Sequence, residues 1–367
     1  MAEKILLTGN EAIGEGAIQA GCQFYAGYPI TPQNEITAYM AKRMLELNRV
    51  FIQAESELAA INMVFGASAA GVRALTSSSS PGISLKQEGI SYIAGCQLPA
   101  VIVNVMRGGP GLGNIAPAQS DYFQATRSGG HGDYYSIVLA PSSVQEAFEF
   151  MKLAFDLADK YRNPVIILAD GMLGQMMEPL EVTSYKLQVI SKKQKLITHN
   201  SSLITKEWTL TGCKGRKPNI IRSLYLAEGV LEKLNLRLQK KYKAIQQKEQ
   251  RHESLNLSDA KVILVAYGTM ARIAKSAVKR LRDKGKKIGL IRPITLWPFP
   301  NNIFRRLAMS NKRLTFLVIE MSYGQMLEDV RLSLNGRAKV EFFGRAGGGI
   351  PTEEEIIKKL EVISDKL

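Results

Sequence analysis

Four short stretches of this chain carry residue types able to do chemistry. The first is Tyr28-Pro29-Ile30-Thr31-Pro32, which follows an apolar, strand-like run. In open parallel sheets ligands gather at the carboxyl ends of strands, so a ligand would be met here. The plainer reading is a proline-stiffened turn in which Thr31 caps the next helix and Pro32 opens it. The second is Gln53-Ala54-Glu55-Ser56-Glu57, another strand end running into a helix. Glu57 is followed by Leu58, Ala59, Ala60 and Ile61, so its carboxylate enters a close-packed apolar helix partly desolvated, the usual setting of a proton-handling group. The plainer reading is compensation of the helix dipole.

The third is Thr76-Ser77-Ser78-Ser79-Ser80-Pro81-Gly82, whose hydroxyls and backbone N–H groups can line a polar ligand pocket or simply form a capping turn. The fourth is Met106-Arg107-Gly108-Gly109-Pro110-Gly111-Leu112-Gly113-Asn114. Gly111-x-Gly113-x-x-Ala116 loosely imitates a dinucleotide fingerprint, but Pro110 and Pro117 bracket it and no helix begins there. It reads better as a flexible loop beside Arg107. A guanidinium at a strand end suits bidentate capture of a carboxylate, with a surface salt bridge as the plain alternative. No P-loop pattern occurs. His131 is isolated, and with only His199 and His252 besides, a zinc mechanism has poor support; the expected set of metal ligands is none.

The elements that position these stretches alternate. Strand-like runs cover Lys4–Thr8, Cys22–Ala26, Arg49–Gln53, Arg73–Thr76, Ala100–Val105, Ile137–Leu139 and Pro164–Leu168. Helical patterns lie between them, the first capped by Asn10 and running to Gly21. Strands alternating with helices of this length imply a doubly wound parallel sheet, and the near-continuous apolar strands agree. Residues 181–221 are polar, basic and poorly periodic, and Ser223–Glu253 reads as one or two surface helices. The alternation restarts at Lys261 and closes with a helix capped by Thr352. The fold class is therefore α/β with two doubly wound parallel-sheet domains: residues 1–180, a basic, partly helical connector over 181–258, and residues 259–367.

The 367 residues carry 48 Lys+Arg against 33 Asp+Glu, a net charge of +15. Residues 1–180 hold 11 basic and 16 acidic side chains, which leaves a net of +20 for the rest. So sharp a division argues against a uniformly basic nucleic-acid binder. Cys22, Cys96 and Cys213 are scattered and odd in number, excluding a disulfide framework or a Cys-x-x-Cys site. No apolar run reaches the roughly 18–20 residues of a membrane span, and the N-terminal apolar run turns polar at Thr8, too soon for a signal peptide. The expectation is a cytoplasmic protein without nucleic acid or membrane partners.

Taken in order, the four stretches resemble the alpha subunit of 2-oxoacid:ferredoxin oxidoreductases. The similarity continues through Ala140-Pro141-Ser142-Ser143, Tyr161-Arg162-Asn163-Pro164-Val165, Leu173-Gly174-Gln175-Met176, Trp208-Thr-Leu-Thr-Gly-Cys-Lys-Gly-Arg216 and Arg292-Pro293-Ile294-Thr295-Leu296-Trp297-Pro298-Phe299-Pro300. It covers nearly the whole chain. The branched-chain (3-methyl-2-oxobutanoate) type resembles it most, with the 2-oxoglutarate type a near neighbour.

The resemblance implies a thiamine diphosphate pyrimidine-binding domain followed by a transketolase C-terminal-like domain. The enzyme implied decarboxylates a 2-oxo acid oxidatively, with coenzyme A, to acyl-CoA, CO₂ and reduced ferredoxin. By the resemblance Glu57, rather than Glu55, matches the catalytic glutamate, which shares a proton with ring nitrogen N1′ of the cofactor. Thr31 and Arg107 are the expected substrate-binding residues; Tyr28, Pro29, Ile30, Glu57, Ser79 and Ser80 the expected cofactor-binding ones. Ala169-Asp170-Gly171 lacks the Asn pair of a diphosphate site, so the diphosphate and its magnesium belong to a beta subunit. The iron–sulfur clusters belong to partners, which include a gamma subunit and a ferredoxin-like delta subunit. Some relatives carry a further basic residue along the glycine loop; here Ile115-Ala116-Pro117-Ala118-Gln119 favours a monocarboxylate with an apolar tail over 2-oxoglutarate. The rivals are another thiamine diphosphate enzyme of transketolase or dehydrogenase beta-chain type, against which Tyr28–Pro32 speaks, and a nucleic-acid binder, for which no motif is present.

Overall fold

A computed structural model describes residues 3–182, 206–310 and 314–364; His199 lies outside them. The first half runs β1 (Glu3–Thr8), α1 (Gly9–Gln19), β2 (Phe24–Gly27), α2 (Asn34–Glu46), β3 (Val50–Gln53), α3 (Glu57–Ala69), β4 (Ala74–Ser78), α4 (Ser80–Gly95), β5 (Ala100–Met106), α5 (Tyr122–Thr126), β6 (Ile137–Leu139), α6 (Val144–Tyr161), β7 (Pro164–Asp170), α7 (Gly171–Gln175) and β8 (Met177–Val182). There follow α8 (Val230–Lys248), β9 (His252–Leu255), β10 (Val262–Val265), α9 (Gly268–Asp283), β11 (Ile288–Pro293), β12 (Thr295–Trp297), α10 (Asn301–Ser310), β13 (Thr315–Glu320), α11 (Gln325–Leu334), β14 (Lys339–Gly344) and α12 (Glu353–Ser364).

Two sheets dominate. The larger has the order β12-β6-β7-β5-β4-β2-β3, parallel from β6 to β3. The smaller has the order β14-β13-β10-β11-β9, parallel except for β9. Strands β4, β5, β7, β10, β11 and β13 are buried at every position, as sheets covered on both faces require. The α/β class with two doubly wound sheets therefore holds. Sequence patterning found β1 but counted it with the parallel strands, and it missed β8, β9 and β12. Strands β1 and β8 pair antiparallel as a separate ribbon, and β9 and β12 are antiparallel edge strands. Three residues of β12 are too few to show a period.

Helix starts also differ from expectation. Thr8, not Asn10, caps α1: its hydroxyl accepts from Glu11 N while the Glu11 carboxylate accepts from Thr8 N. Asn10 is buried in the first turn, and its amide donates to Pro32 O and to Glu35, both at 2.7 Å. Thr31 and Pro32 do not open α2, because their carbonyls accept from Arg107 and Asn10. The helix begins two residues later, after Gln33. Helix α8 is amphipathic rather than a free surface helix: Leu234, Leu238, Tyr242 and Ile245, at helical spacing, are buried.

The two sheets are sewn together by buried polar groups. Strand β12 leaves the second α/β unit to extend the first sheet beside β6, and Trp297 stacks on Tyr135 at 4.7 Å between ring centres. Arg292 is 2% exposed and grips Glu146 with two hydrogen bonds of 2.6 Å, its Nε lying 2.9 Å from Glu253. Asp170, at the end of β7, caps α7 and accepts from the hydroxyl and N–H of Thr269 at the start of α9. Gln119 is fully buried; its side chain donates to Tyr267 O and accepts from Met321 N. Burial raises the Asp170 carboxyl, and the Thr269 hydroxyl opposes the rise.

The Arg292–Glu146 pair yields a stability prediction. Burial pushes the Glu146 carboxyl up, but the Arg292 hydrogen bonds and charge outweigh it and leave it below the ordinary 4.5. A lowered folded value gives stability that is complete above the ordinary range and is lost as pH falls through the lowered value. Glu146→Gln should cost about 1–3 kcal/mol at pH 7, because it removes one of the two carboxylates that hold a buried guanidinium. It should also make unfolding less acid-sensitive. Urea unfolding at pH 7 and pH 4 measures both; equal stability at pH 7 would contradict the prediction.

Candidate active site

The four chemistry-bearing stretches follow four adjacent parallel strands, in the spatial order β3-β2-β4-β5. Each emerges at a strand's carboxyl end, so the sheet brings to one edge residues that lie up to 79 positions apart, from Tyr28 to Arg107.

Glu57 is the first residue of α3 and only 5% exposed. Ser56 caps the helix by accepting from Ala59 N at 3.1 Å. The carboxylate therefore sits in the favourable field of the helix start. The Ser78 hydroxyl donates to Glu57 Oε1 at 3.5 Å. Gly82, in the first turn of α4, presses against both: a Cβ there would lie 2.3 Å from Glu57 Oε1 and 2.1 Å from Ser78 Oγ. Only glycine lets α4 approach this closely. Beneath, the Tyr25 hydroxyl bonds to those of Ser77 and Thr37, and Ser77 donates to Gln33 Oε1, so the floor is a closed hydroxyl network.

Arg107 is 7% exposed and ties the rim together, donating to Thr31 O at 3.0 Å and Leu112 O at 2.9 Å. Its Nε is buried without a partner. The glycine loop is a hydrogen-bonded turn rather than an open, flexible loop. Gly108 N donates to Ala116 O, and Asn114 bridges to Gly347 O. Gly113 sits at φ +62° with Gly108 O 1.7 Å from where a Cβ would be, so no side chain fits. The Thr31 hydroxyl accepts from Asn34 Nδ2 at 3.2 Å.

The two cofactor-facing serines expected from the sequence differ. Ser79 is fully buried with no partner for its hydroxyl. Ser80 is committed: its hydroxyl donates to Asp121 Oδ2 at 2.6 Å and accepts from Arg107 N. Tyr28 is 40% exposed; Pro29 is exposed and Ile30 half-buried, forming an apolar rim. His131 is exposed and contributes only its carbonyl, to Ser91. Glu55 is exposed, in contrast to Glu57. Among the described residues no group of three or more His, Cys, Asp or Glu stands ready for a metal ion. No described helix is long and apolar enough to cross a membrane.

Sequence reading missed three polar residues here, Lys86 and Asn104 buried and Asp121 half-buried. Lys86, one turn along α4 from Gly82, is fully buried, with Nζ 2.5 Å from Thr76 Oγ1. Its signal was position i+4 from Gly82 on a helix face otherwise small and apolar. Asp121, held by Ser80 and by Asn104 Nδ2 at 2.9 Å, has its carboxyl raised by burial, with those hydrogen bonds pulling the other way. Nothing in the local pattern marks Asp121 or Asn104. Together an accepting carboxylate, an unpartnered buried hydroxyl and a glycine cradle fit a polar heterocycle whose ring nitrogen can share a proton.

Comparison with known proteins agrees. A family model described as pyruvate flavodoxin/ferredoxin oxidoreductase, thiamine diP-bdg, matches residues 15–221. A second, pyruvate:ferredoxin oxidoreductase core domain II, matches residues 260–356. Ketoisovalerate oxidoreductase subunit VorB of Methanothermobacter marburgensis is 48% identical, over 98% of this chain and 97% of the relative. The 2-oxoglutarate synthase subunit KorA of the same organism is 38% identical, over 98% and 99%. Among solved structures, 2-oxoglutarate:ferredoxin oxidoreductase from Magnetococcus marinus, with 2-oxoglutarate, coenzyme A and succinyl-CoA bound, superposes with a TM-score of 0.85 at 27% identity. The match covers 98% of this chain and 65% of that longer one.

Two glycine substitutions test the cradle. Gly82→Ala forces Glu57 or Ser78 to move and should destabilise the chain by about 1–3 kcal/mol. Gly66→Ala, on α3 where a Cβ meets nothing within 4 Å, should instead stabilise it by about 0.5–1 kcal/mol. Chemical denaturation reads both; equal effects would contradict the close approach at Gly82.

Proposed function

The chain belongs to the 2-oxoacid:ferredoxin oxidoreductase family, and on that premise we propose that it is the alpha-type subunit of a thiamine diphosphate-dependent complex acting on 3-methyl-2-oxobutanoate. The products would be the branched acyl-CoA, CO₂ and reduced ferredoxin. The observation that carries the reading is Glu57: a carboxylate buried at the start of α3, seated against Gly82 and accepting from the Ser78 hydroxyl.

When bound, thiamine diphosphate supplies the electron sink for decarboxylation. The chain's own residues bind and orient it. Glu57 would share a proton with the aminopyrimidine ring nitrogen N1′ across a hydrogen bond, the carboxyl giving it when the nitrogen is bare and taking it back when the nitrogen is protonated. Ser79 offers its free hydroxyl to the ring. Tyr28, Pro29 and Ile30 form the apolar wall, and Ser80 holds the Arg107 backbone rather than the ring. Thr31 presents its hydroxyl to an oxygen of the 2-oxo acid. Arg107 offers its carboxylate clamp through the unpartnered Nε and the guanidinium protons left over from its two carbonyls.

The preference for a monocarboxylate rests on the glycine loop. Leu112 and Ile115 are 77% and 65% exposed, and no basic side chain stands between Arg107 and Gln119 to pair with a second carboxylate. The 48% identity to a ketoisovalerate oxidoreductase subunit supports the same choice over the 2-oxoglutarate reading, favoured in turn by the superposed structure. Beta, gamma and ferredoxin-like delta subunits would supply the diphosphate site, its magnesium and the clusters, in the cytoplasm. Residues 1–180 would form the pyrimidine-binding domain, 181–258 the connector and 259–367 the transketolase C-terminal-like domain.

The assembled complex assayed for CoA-dependent ferredoxin reduction tests the proposal. Turnover on 3-methyl-2-oxobutanoate should exceed that on 2-oxoglutarate by about tenfold or more, on the scale set by leaving one carboxylate unpaired. A preference for the dicarboxylate would move the chain to the 2-oxoglutarate branch.

A further inference from the structure

Asp121 is a half-buried carboxylate that the functions above leave unused. It stands at the N-cap position of α5, where an aspartate ordinarily caps, yet its side chain makes no capping bond. Its oxygen Oδ2 is spent on the first α/β unit instead. It accepts from the Ser80 hydroxyl at 2.6 Å and from Asn104 Nδ2 at 2.9 Å. The Ser80 hydroxyl accepts in turn from Arg107 N at 3.0 Å, and Ser80 N donates to Asn104 Oδ1 at 3.1 Å. A hydroxyl has one proton and two lone pairs, so giving the proton to Asp121 leaves it free to accept from Arg107. Arg107 O, at 3.3 Å, is the more distant acceptor for that proton. The strand β5, the start of α4 and the turn before α5 are thus closed into one set of hydrogen bonds.

The support under Asp121 is rigid. Gln325 of α11 takes both its neighbours, donating to Ser120 O at 2.7 Å and accepting from Phe123 N at 2.8 Å. We propose that Asp121 is a positioning residue for the substrate: through the Ser80 hydroxyl it fixes the root of Arg107, and with it the grip on the carboxylate of the 2-oxo acid. The proposal rests on the reading of Arg107 as the carboxylate clamp. The carbonyls of Thr31 and Leu112 hold the tip of that side chain, and the Ser80 hydroxyl holds its backbone. Anchored at both ends, the guanidinium presents its unpartnered Nε in one direction. Without the Asp121 acceptor the Ser80 hydroxyl is free to turn. Arg107 N, buried at the end of β5, must then shift to keep a partner. What the arrangement asks of position 121 is an acceptor oxygen, not a charge, and asparagine offers the same oxygen.

Initial rates on the assembled complex, with 3-methyl-2-oxobutanoate varied and then coenzyme A varied, test this. Asp121→Ala and Ser80→Ala should each raise the KM for the 2-oxo acid by about tenfold, with kcat falling by no more than about twofold. The KM for coenzyme A should not move. The double variant should be no worse than either single one, because both break one chain of bonds. Asp121→Asn should restore the wild-type KM. An unmoved KM in Asp121→Ala, a loss confined to kcat, a parallel rise in the KM for coenzyme A, or an Asp121→Asn as impaired as Asp121→Ala would each overturn the proposal. Should Asp121→Ala fail to assemble, Ser80→Ala set against Asp121→Asn makes the same comparison. Arg107→Ala keeps the two levels apart. If it leaves the KM for the 2-oxo acid unchanged, the clamp reading falls and this proposal with it; if it raises that KM while Asp121→Ala does not, only the role of Asp121 falls.

Discussion

Everything at this site turns on seating the carboxyl group of Glu57 out of water at the edge of the sheet. A buried, unpaired anion is among the least stable things a fold can contain. The structure meets that demand with two weak supports rather than one strong one. The helix start gives partial positive charge, and the Ser78 hydroxyl gives one long hydrogen bond. A direct arginine partner would hold Glu57 more firmly and would also occupy the oxygens that a ligand needs. At the other sheet interface the choice is the reverse: Glu146 is bound by Arg292 through both oxygens, and its task is to fasten two units together.

This arrangement depends on α4 lying close to α3, and Gly82 and Gly89 make that possible. A Cβ on Gly89 would come within 2.6 Å of Ile61, just as one on Gly82 would strike Glu57. The rim depends in turn on the second α/β unit. Gln119 fixes the end of the glycine loop to Tyr267 and Met321, Asn114 fixes its tip to Gly347, and Tyr122 reaches Asp329 at 2.5 Å. Arg107 then gathers that loop and the Tyr28–Pro32 turn over the sheet edge. Among the described residues, some of the basic side chains of the later half are paired locally, as in Arg280 with Glu353 and Arg282 with Asp259.

What was legible in the sequence follows from the range of the forces involved. Strands buried on both faces announce themselves as apolar runs, so the alternation of both sheets could be read, and with it the edge where the four stretches meet. Glu57 stood out because a charge entering Leu58-Ala59-Ala60-Ile61 contradicts its surroundings. Long-range polar partnerships left no local trace. Thr31 and Pro32 looked like a helix start, and only Arg107 and Asn10, distant in sequence, explain why the helix waits until Asn34. Asn10 looked like a cap because nothing nearby revealed its bonds to Pro32 and Glu35. Strand β12 was invisible because three residues have no period, and its pairing with β6 spans more than 150 positions.

The central claim is that Glu57 is the group that meets the cofactor's ring. The most direct measurement is the structure of the assembled complex with thiamine diphosphate bound. The account predicts a Glu57 carboxylate oxygen at about 2.6–3.2 Å from ring nitrogen N1′. It also predicts the Ser79 hydroxyl within bonding reach of the same ring. A ring lying elsewhere on the sheet edge, with Glu57 still turned toward Ser78 and Gly82 and no contact to the cofactor, would contradict it.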